Sequence, residues 1–119
     1  MEREVEMSFQ MIPLETQEQF ETLLKPVGPT GKLAEPYVIV YFTASWCGAC
    51  KMLDFSRIYS TRQNITWYKC DVDVNKYTLG YCGLSKIPSF VFIKSGKFFG
   101  KLTSSNTDLV VNTILDSFE

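Results

Sequence analysis

The sequence predicts an α/β fold, one mixed sheet of strands with helices on both faces. Three observations point to it. Apolar, β-branched runs at residues 37–44, 65–72 and 90–93 have the character of strands. Segments with helical spacing and capping residues alternate with them. The turn Lys94-Ser95-Gly96-Lys97 folds the third run back on a fourth as a hairpin. The resulting order, β-α-β-α-β-α-β-β-α, fits a single mixed sheet covered on both sides.

The 119 residues fit one domain spanning 1–119. With 45% hydrophobic and 14% aromatic residues, the chain can bury a substantial core. Twelve Lys and Arg against thirteen Asp and Glu leave a net charge of −1, which gives no electrostatic case for nucleic acid or an anionic membrane as partner. No apolar run approaches the ~18 residues of a membrane span. The opening Met1-Glu2-Arg3-Glu4-Val5-Glu6 is acidic and mixed, unlike a secretory signal. A reducing compartment, the cytoplasm, is the expected location.

In chain order, residues 8–12 are expected to form a first strand ended by Pro13. Thr16-Gln17-Glu18-Gln19 reads as a capping box for a helix whose apolar face is Phe20, Leu23 and Leu24. Three prolines and two glycines make residues 26–36 a loop. The run at 37–44 is apolar nearly throughout, as in a strand covered on both faces. A helix is expected over 48–62, with Met52, Phe55 and Tyr59 as its buried stripe, Leu53 and Ile58 beside them, and Asn64 breaking it. After the strand at 65–72 comes a short helix over 75–82, ended near Gly83. Lys94, Lys97 and Lys101 are read as solvated charges guarding a sheet edge. A capping signal at 105–108 precedes Val111, Ile114, Leu115 and Phe118, whose spacing makes a final amphipathic helix.

The chemistry lies in Trp46-Cys47-Gly48-Ala49-Cys50, at the junction of the central strand and the following helix. Free amides and the positive end of the helix dipole favour a thiolate at Cys47, which is expected to be the more exposed sulfur and the nucleophile. Cys50, a turn deeper, would be shielded and resolve the mixed disulfide. The absence of His removes Cys-His catalysis and mixed Cys/His zinc sites. A four-thiol zinc site is disfavoured because eleven residues separate Cys70 from Cys82, and no metal is expected. A purely structural disulfide does not suit a reducing compartment. Cys70 reads as a buried thiol; for Cys82 a secondary redox or dimer-forming role stays open beside that reading.

The run Phe42-Thr43-Ala44-Ser45-Trp46-Cys47-Gly48-Ala49-Cys50-Lys51 strongly resembles the active-site segment of the thioredoxin family. Lys69, Asp71 and Asp73, then Ile87-Pro88-Ser89-Phe90 and Lys94-Ser95-Gly96, follow at similar spacings, from about residue 9 to the end of the chain. The resemblance implies a thioredoxin fold with about five strands and four helices. It implies a cis-proline at Pro88 facing the dithiol, and a docking rim for protein disulfides formed by Trp46, Gly48, Ala49, Ile87 and Pro88. Electrons would come from NADPH through a separate thioredoxin reductase, so no bound cofactor is expected. Where the family has Pro between the cysteines this chain has Ala49, and where it has a buried Asp this chain has Tyr41, a far weaker base. Lys69 matches the partner of that Asp, and both Tyr41 and Lys69 are placed as supports of the site. Phe55 stands where a proline usually kinks the helix, so a straighter helix is expected. The loop at 26–36 is longer than usual.

The function expected is a protein disulfide reductase acting on protein substrates, as a monomer or as a dimer through Cys82. A disulfide oxidase or isomerase, or a binding module that keeps the fold with little activity, are the alternatives.

Overall fold

A computed structural model gives the fold of residues 10–28 and 30–118. Five strands, β1 (Ile12–Pro13), β2 (Tyr37–Thr43), β3 (Thr66–Asp71), β4 (Ser89–Lys94) and β5 (Lys97–Thr103), form one sheet in the order β1-β3-β2-β4-β5. β1 and β2 run parallel to β3, whereas β4 pairs antiparallel with β2 and β5, so the sheet is mixed as expected. The helices are α1 (Gln17–Leu23), α2 (Phe55–Ser60), α3 (Thr78–Tyr81) and α4 (Thr107–Ser117). Among the described residues no helix is long and apolar enough to cross a membrane.

Side-chain alternation along the strands divides the core in two. Ile39, Tyr41, Trp67, Phe90 and Phe92 face Ile58 of α2 and Val110, Ile114 and Phe118 at α4. Val38, Val40, Phe42, Cys70, Val91 and Ile93 face Phe20 of α1 and Cys82 at the end of α3. Each helix supplies an apolar side that it cannot bury alone, and the sheet supplies two faces to cover.

Local signals explain most of the element ends. Thr16 and Gln19 form the reciprocal cap of α1, and Asn106 caps α4 by accepting from the Leu109 amide. The β4–β5 turn has φ of 51° at Ser95 and 82° at Gly96, as a two-residue hairpin requires. Gly96 is needed twice over, because a Cβ there would lie 2.8 Å from the Lys25 carbonyl. The loop at 26–36 is held by a bridge between Val27 and Leu33 and by the Ala34 amide donating to the Pro26 carbonyl.

Several expectations are corrected. Ser8 and Phe9 of the expected first strand lie outside the described residues; the strand ends at Pro13 as expected, but Pro13 is itself its last paired residue. It can pair because β1 is an edge strand, where a missing N–H breaks no ladder. The helix over 48–62 is not continuous. A 3-10 turn at Ala49–Met52 ends at Leu53, which is extended with ψ 137°, and α2 starts afresh after Asp54. Asp54 Oδ1 accepts from the Ser56 and Arg57 amides, while the Asp54 amide donates to Thr107 Oγ1 at the start of α4. That cap breaks the helix without any proline, so the segment is not straighter for having Phe55. Met52 consequently turns outward at 72% exposure, and Leu53 takes its place in the core. Leu115 is also exposed, with Val110 buried in its stead. Lys101 does not guard the edge: its ammonium donates to the Cys82 and Gly83 carbonyls behind α3.

Candidate active site

β2 leaves the sheet at Thr43, and the chain turns at once, with the Cys47 amide donating to the Ala44 carbonyl at 3.1 Å. The 3-10 turn then brings Cys50 back over Cys47. The two are joined as a disulfide with Cα atoms 5.3 Å apart, inside the range such a bridge needs. The Cys50 amide donates to Cys47 Sγ at 3.0 Å. An amide aimed at this sulfur favours negative charge there once the bond is opened. Cys47 is not the more exposed residue, as had been expected: Cys47 is 4% and Cys50 6% exposed. Ala44, Val72 and Ile87 pack around both, and the first two arrive from strand ends that sequence order alone does not bring together.

Around the disulfide the surface is uneven. Trp46 is 65% exposed, and its indole Nε1–H donates to Asp73 Oδ2 at 2.8 Å, which fixes the ring beside the dithiol. Asp73 is itself set by a turn in which its amide donates to Asp71 Oδ1. Gly48 and Ala49 are exposed, Ile87 is half-buried, and Pro88 is buried. The Ile87–Pro88 peptide bond is cis, as the resemblance implies, and the Pro88 carbonyl accepts from the Ser104 amide.

On the other side a cleft of about 630 Å³ is lined by Tyr41, Thr43, Cys47, Cys50, Leu53 and Lys69, among others. Tyr41 is buried, its ring 4.7 Å from that of Phe55 and 5.3 Å from that of Phe90, and its hydroxyl donates to Thr43 Oγ1. Burial pushes the Tyr41 phenol above its ordinary pKa, the Thr43 bond opposing this in part. Tyr41 therefore stays a neutral donor at physiological pH and is no base. Lys69 is its register partner on β3 and is exposed; among the described residues no carboxylate pairs with it.

Cys70 and Cys82 lie apart from this site, in the second core cluster, at 0% and 3% exposure. Both are free thiols. Burial pushes each up to about 12, with Cys82 and Asp71 adding to the effect on Cys70 and the Lys101 cation opposing it at Cys82. A thiol this sheltered is not presented to a second chain in this conformation. Among the described residues no group of three or more His, Cys, Asp or Glu could hold a metal ion.

Two site features escaped the sequence reading. The Trp46–Asp73 bond joins residues whose spacing was noted but whose contact was not. Thr43 carries no signal beyond that of a strand residue, although its position two after Tyr41 puts both side chains on one face.

Comparison with known proteins agrees with this geometry. The family model described as Thioredoxin matches residues 12–116. The chain is 33% identical over 79 residues to a thioredoxin H-type of Ricinus communis, covering 65% of this chain and 67% of that one. It is 29% identical over 105 residues to thioredoxin of Rattus norvegicus, covering 87% and 94%. Among solved structures, oxidised mitochondrial thioredoxin 3 of Saccharomyces cerevisiae superposes with a TM-score of 0.74 at 25% identity, covering 92% and 97%.

Proposed function

The chain belongs to the thioredoxin family and is a thiol-disulfide oxidoreductase, and on that premise we propose that it works as a protein disulfide reductase. The observation that carries this reading is the Cys50 amide aimed at Cys47 Sγ at 3.0 Å, in a disulfide that a single helical turn closes. Cys47, as the thiolate, attacks a substrate disulfide and forms a mixed disulfide; Cys50 then attacks Cys47 and releases the reduced substrate. Trp46, Gly48, Ala49 and Ile87 form the rim against which an extended protein segment lies, with Pro88 supporting it from behind. A separate NADPH-linked thioredoxin reductase returns the pair to the dithiol, and the cytoplasm is the compartment in which that cycle runs.

Reduction of insulin disulfides tests the proposal. Cys47→Ser should abolish turnover, and Cys50→Ser should trap a covalent adduct with substrate. If both variants stay active, the two-thiol mechanism is wrong. The direction of the chemistry is read from the reduction potential. A value near ~−270 mV supports a reductase, and one between ~−180 and ~−120 mV assigns the chain to the oxidising or isomerising group.

A further inference from the structure

Among the described residues, the cleft beside the dithiol contains a hydroxyl hydrogen with no acceptor. Tyr41 and Thr43 lie on the same face of β2, and the Tyr41 hydroxyl donates to Thr43 Oγ1 at 3.2 Å. Thr43 is 7% exposed, so its own hydrogen is largely withheld from bulk water. Among the described residues no group accepts that hydrogen. Leaving a buried donor unused is costly, and such a group often serves a partner that appears only during the reaction.

The sulfurs of the pair are served unequally. Cys47 Sγ accepts the Cys50 amide, whereas among the described residues no backbone amide reaches Cys50 Sγ. Yet Cys50 must also ionise, since only a thiolate attacks a disulfide. Both cysteines line the cleft that holds the two hydroxyls.

We infer that Thr43 donates this hydrogen to the Cys50 sulfur as the resolving thiolate forms, with Tyr41 the positioning residue that fixes the Thr43 oxygen. The inference deepens the reductase reading and rests on it. In the step itself, Cys50 gives its proton to water in the cleft. The thiolate attacks Cys47 Sγ, the Cys47–Cys50 bond forms, and the bond from Cys47 to the substrate sulfur breaks. The departing substrate thiolate takes up a proton. Overall the dithiol loses two electrons and the substrate disulfide gains them. Tyr41 keeps its proton throughout, because burial holds its phenol above the ordinary pKa.

The test is rapid mixing of the reduced protein with an aromatic disulfide that releases thionitrobenzoate. The fast release reports attack by Cys47, and the second release reports resolution by Cys50. Thr43→Val keeps the shape and the strand propensity but removes the hydroxyl. It should slow the second release roughly tenfold and raise the pH midpoint of that phase by about one unit, as expected for losing a hydrogen bond to an anion. The first release should be unchanged. Thr43→Ser should restore the second phase, and Tyr41→Phe should shift its midpoint upward by less than Thr43→Val does. An unchanged second phase in Thr43→Val, an equal slowing of both phases, or a Thr43→Ser variant as slow as Thr43→Val would overturn the inference alone. A wild-type protein that gives no second release, and no insulin reduction, would sink the reductase reading together with it.

Discussion

Alkaline titration offers a direct check on where the chain has put its two surplus thiols. Cys70 and Cys82 are pushed by burial from 9.0 to about 12. A thiol whose folded pKa lies above its unfolded value holds its proton in the native state after the unfolded chain has lost it. The contribution to stability is whole below about pH 9 and is lost as pH rises toward about 12. Each thiol should remove about 1.4 kcal/mol per pH unit within that window. Between about pH 8 and about pH 10 the pair then removes about 3 kcal/mol, which at a urea slope of about 1.5 kcal/mol/M moves the midpoint by roughly 2 M. The comparison is best made in a Cys47→Ser/Cys50→Ser parent, where no exchange with the active-site disulfide can occur. Adding Cys70→Val and Cys82→Ala should flatten the pH dependence, apart from a constant packing loss of about 1 kcal/mol. Burial also raises the tyrosines Tyr41, Tyr59 and Tyr68, but they are common to both proteins and cancel in the comparison. Single substitutions should not add, since Cys82 is one cause of the Cys70 shift. Parallel stability curves for parent and variant would refute the reasoning.

Tyr41→Asp should speed insulin reduction severalfold by placing a carboxylate beside Lys69 and the dithiol, and an unchanged or lower rate would count against Tyr41 limiting proton transfer. The same change removes a ring packed on Phe55 and Phe90, so urea unfolding should register a loss of about 3–5 kcal/mol. Asp73→Ala should free the Trp46 indole and raise KM for a protein disulfide while leaving kcat and small-disulfide reduction near wild type; an equal KM would remove the indole from substrate docking. Phe20→Ala, at a fully buried position edge-on to Tyr81 and Phe98, should cost about 3–5 kcal/mol in urea unfolding, and a loss under about 1 kcal/mol would contradict the packing assigned to α1.

What could be read from sequence was whatever is encoded locally. Thr16 and Gln19 cap α1 because both halves of their reciprocal bond lie within one turn of chain. The strands could be read because β-branched and aromatic runs have few other ways to bury themselves, and the spacing of Cys47 and Cys50 suits a single turn of helix. Misreadings arose where a distant residue decides. Asp54 had the chemistry of an N-cap, and the acceptor that its own amide finds, Thr107 Oγ1, comes from across the fold. The burial of Cys47 depends on Val72 and Ile87, and the role of Lys101 depends on the end of α3 lying within its reach. Periodicity alone assigned Met52 to the core, since nothing in the spacing signals the 3-10 turn that rotates it outward.

The four sulfurs show why residue type carries so little of the chemistry. All four cysteines are nearly enclosed, so exposure does not separate the reactive pair from the inert one. What separates them is the neighbouring polar groups. Cys70 and Cys82 sit among Leu14, Phe20, Val40 and Val91, where burial outweighs the one opposing charge, Lys101 near Cys82, and ionisation is suppressed. Cys47 and Cys50 sit where β2 has just ended, so the backbone amides of the next turn are not committed to the sheet ladder and one of them reaches Cys47 Sγ. Moving a thiol from the middle of a strand to the turn after it therefore exchanges an apolar cage for a donor, with little change in how much water touches it. That is a property of the strand's end and not of the cysteine, and it separates Cys70 within β3 from the pair that follows β2; Cys82, at the end of α3, is held inert by the same apolar cluster.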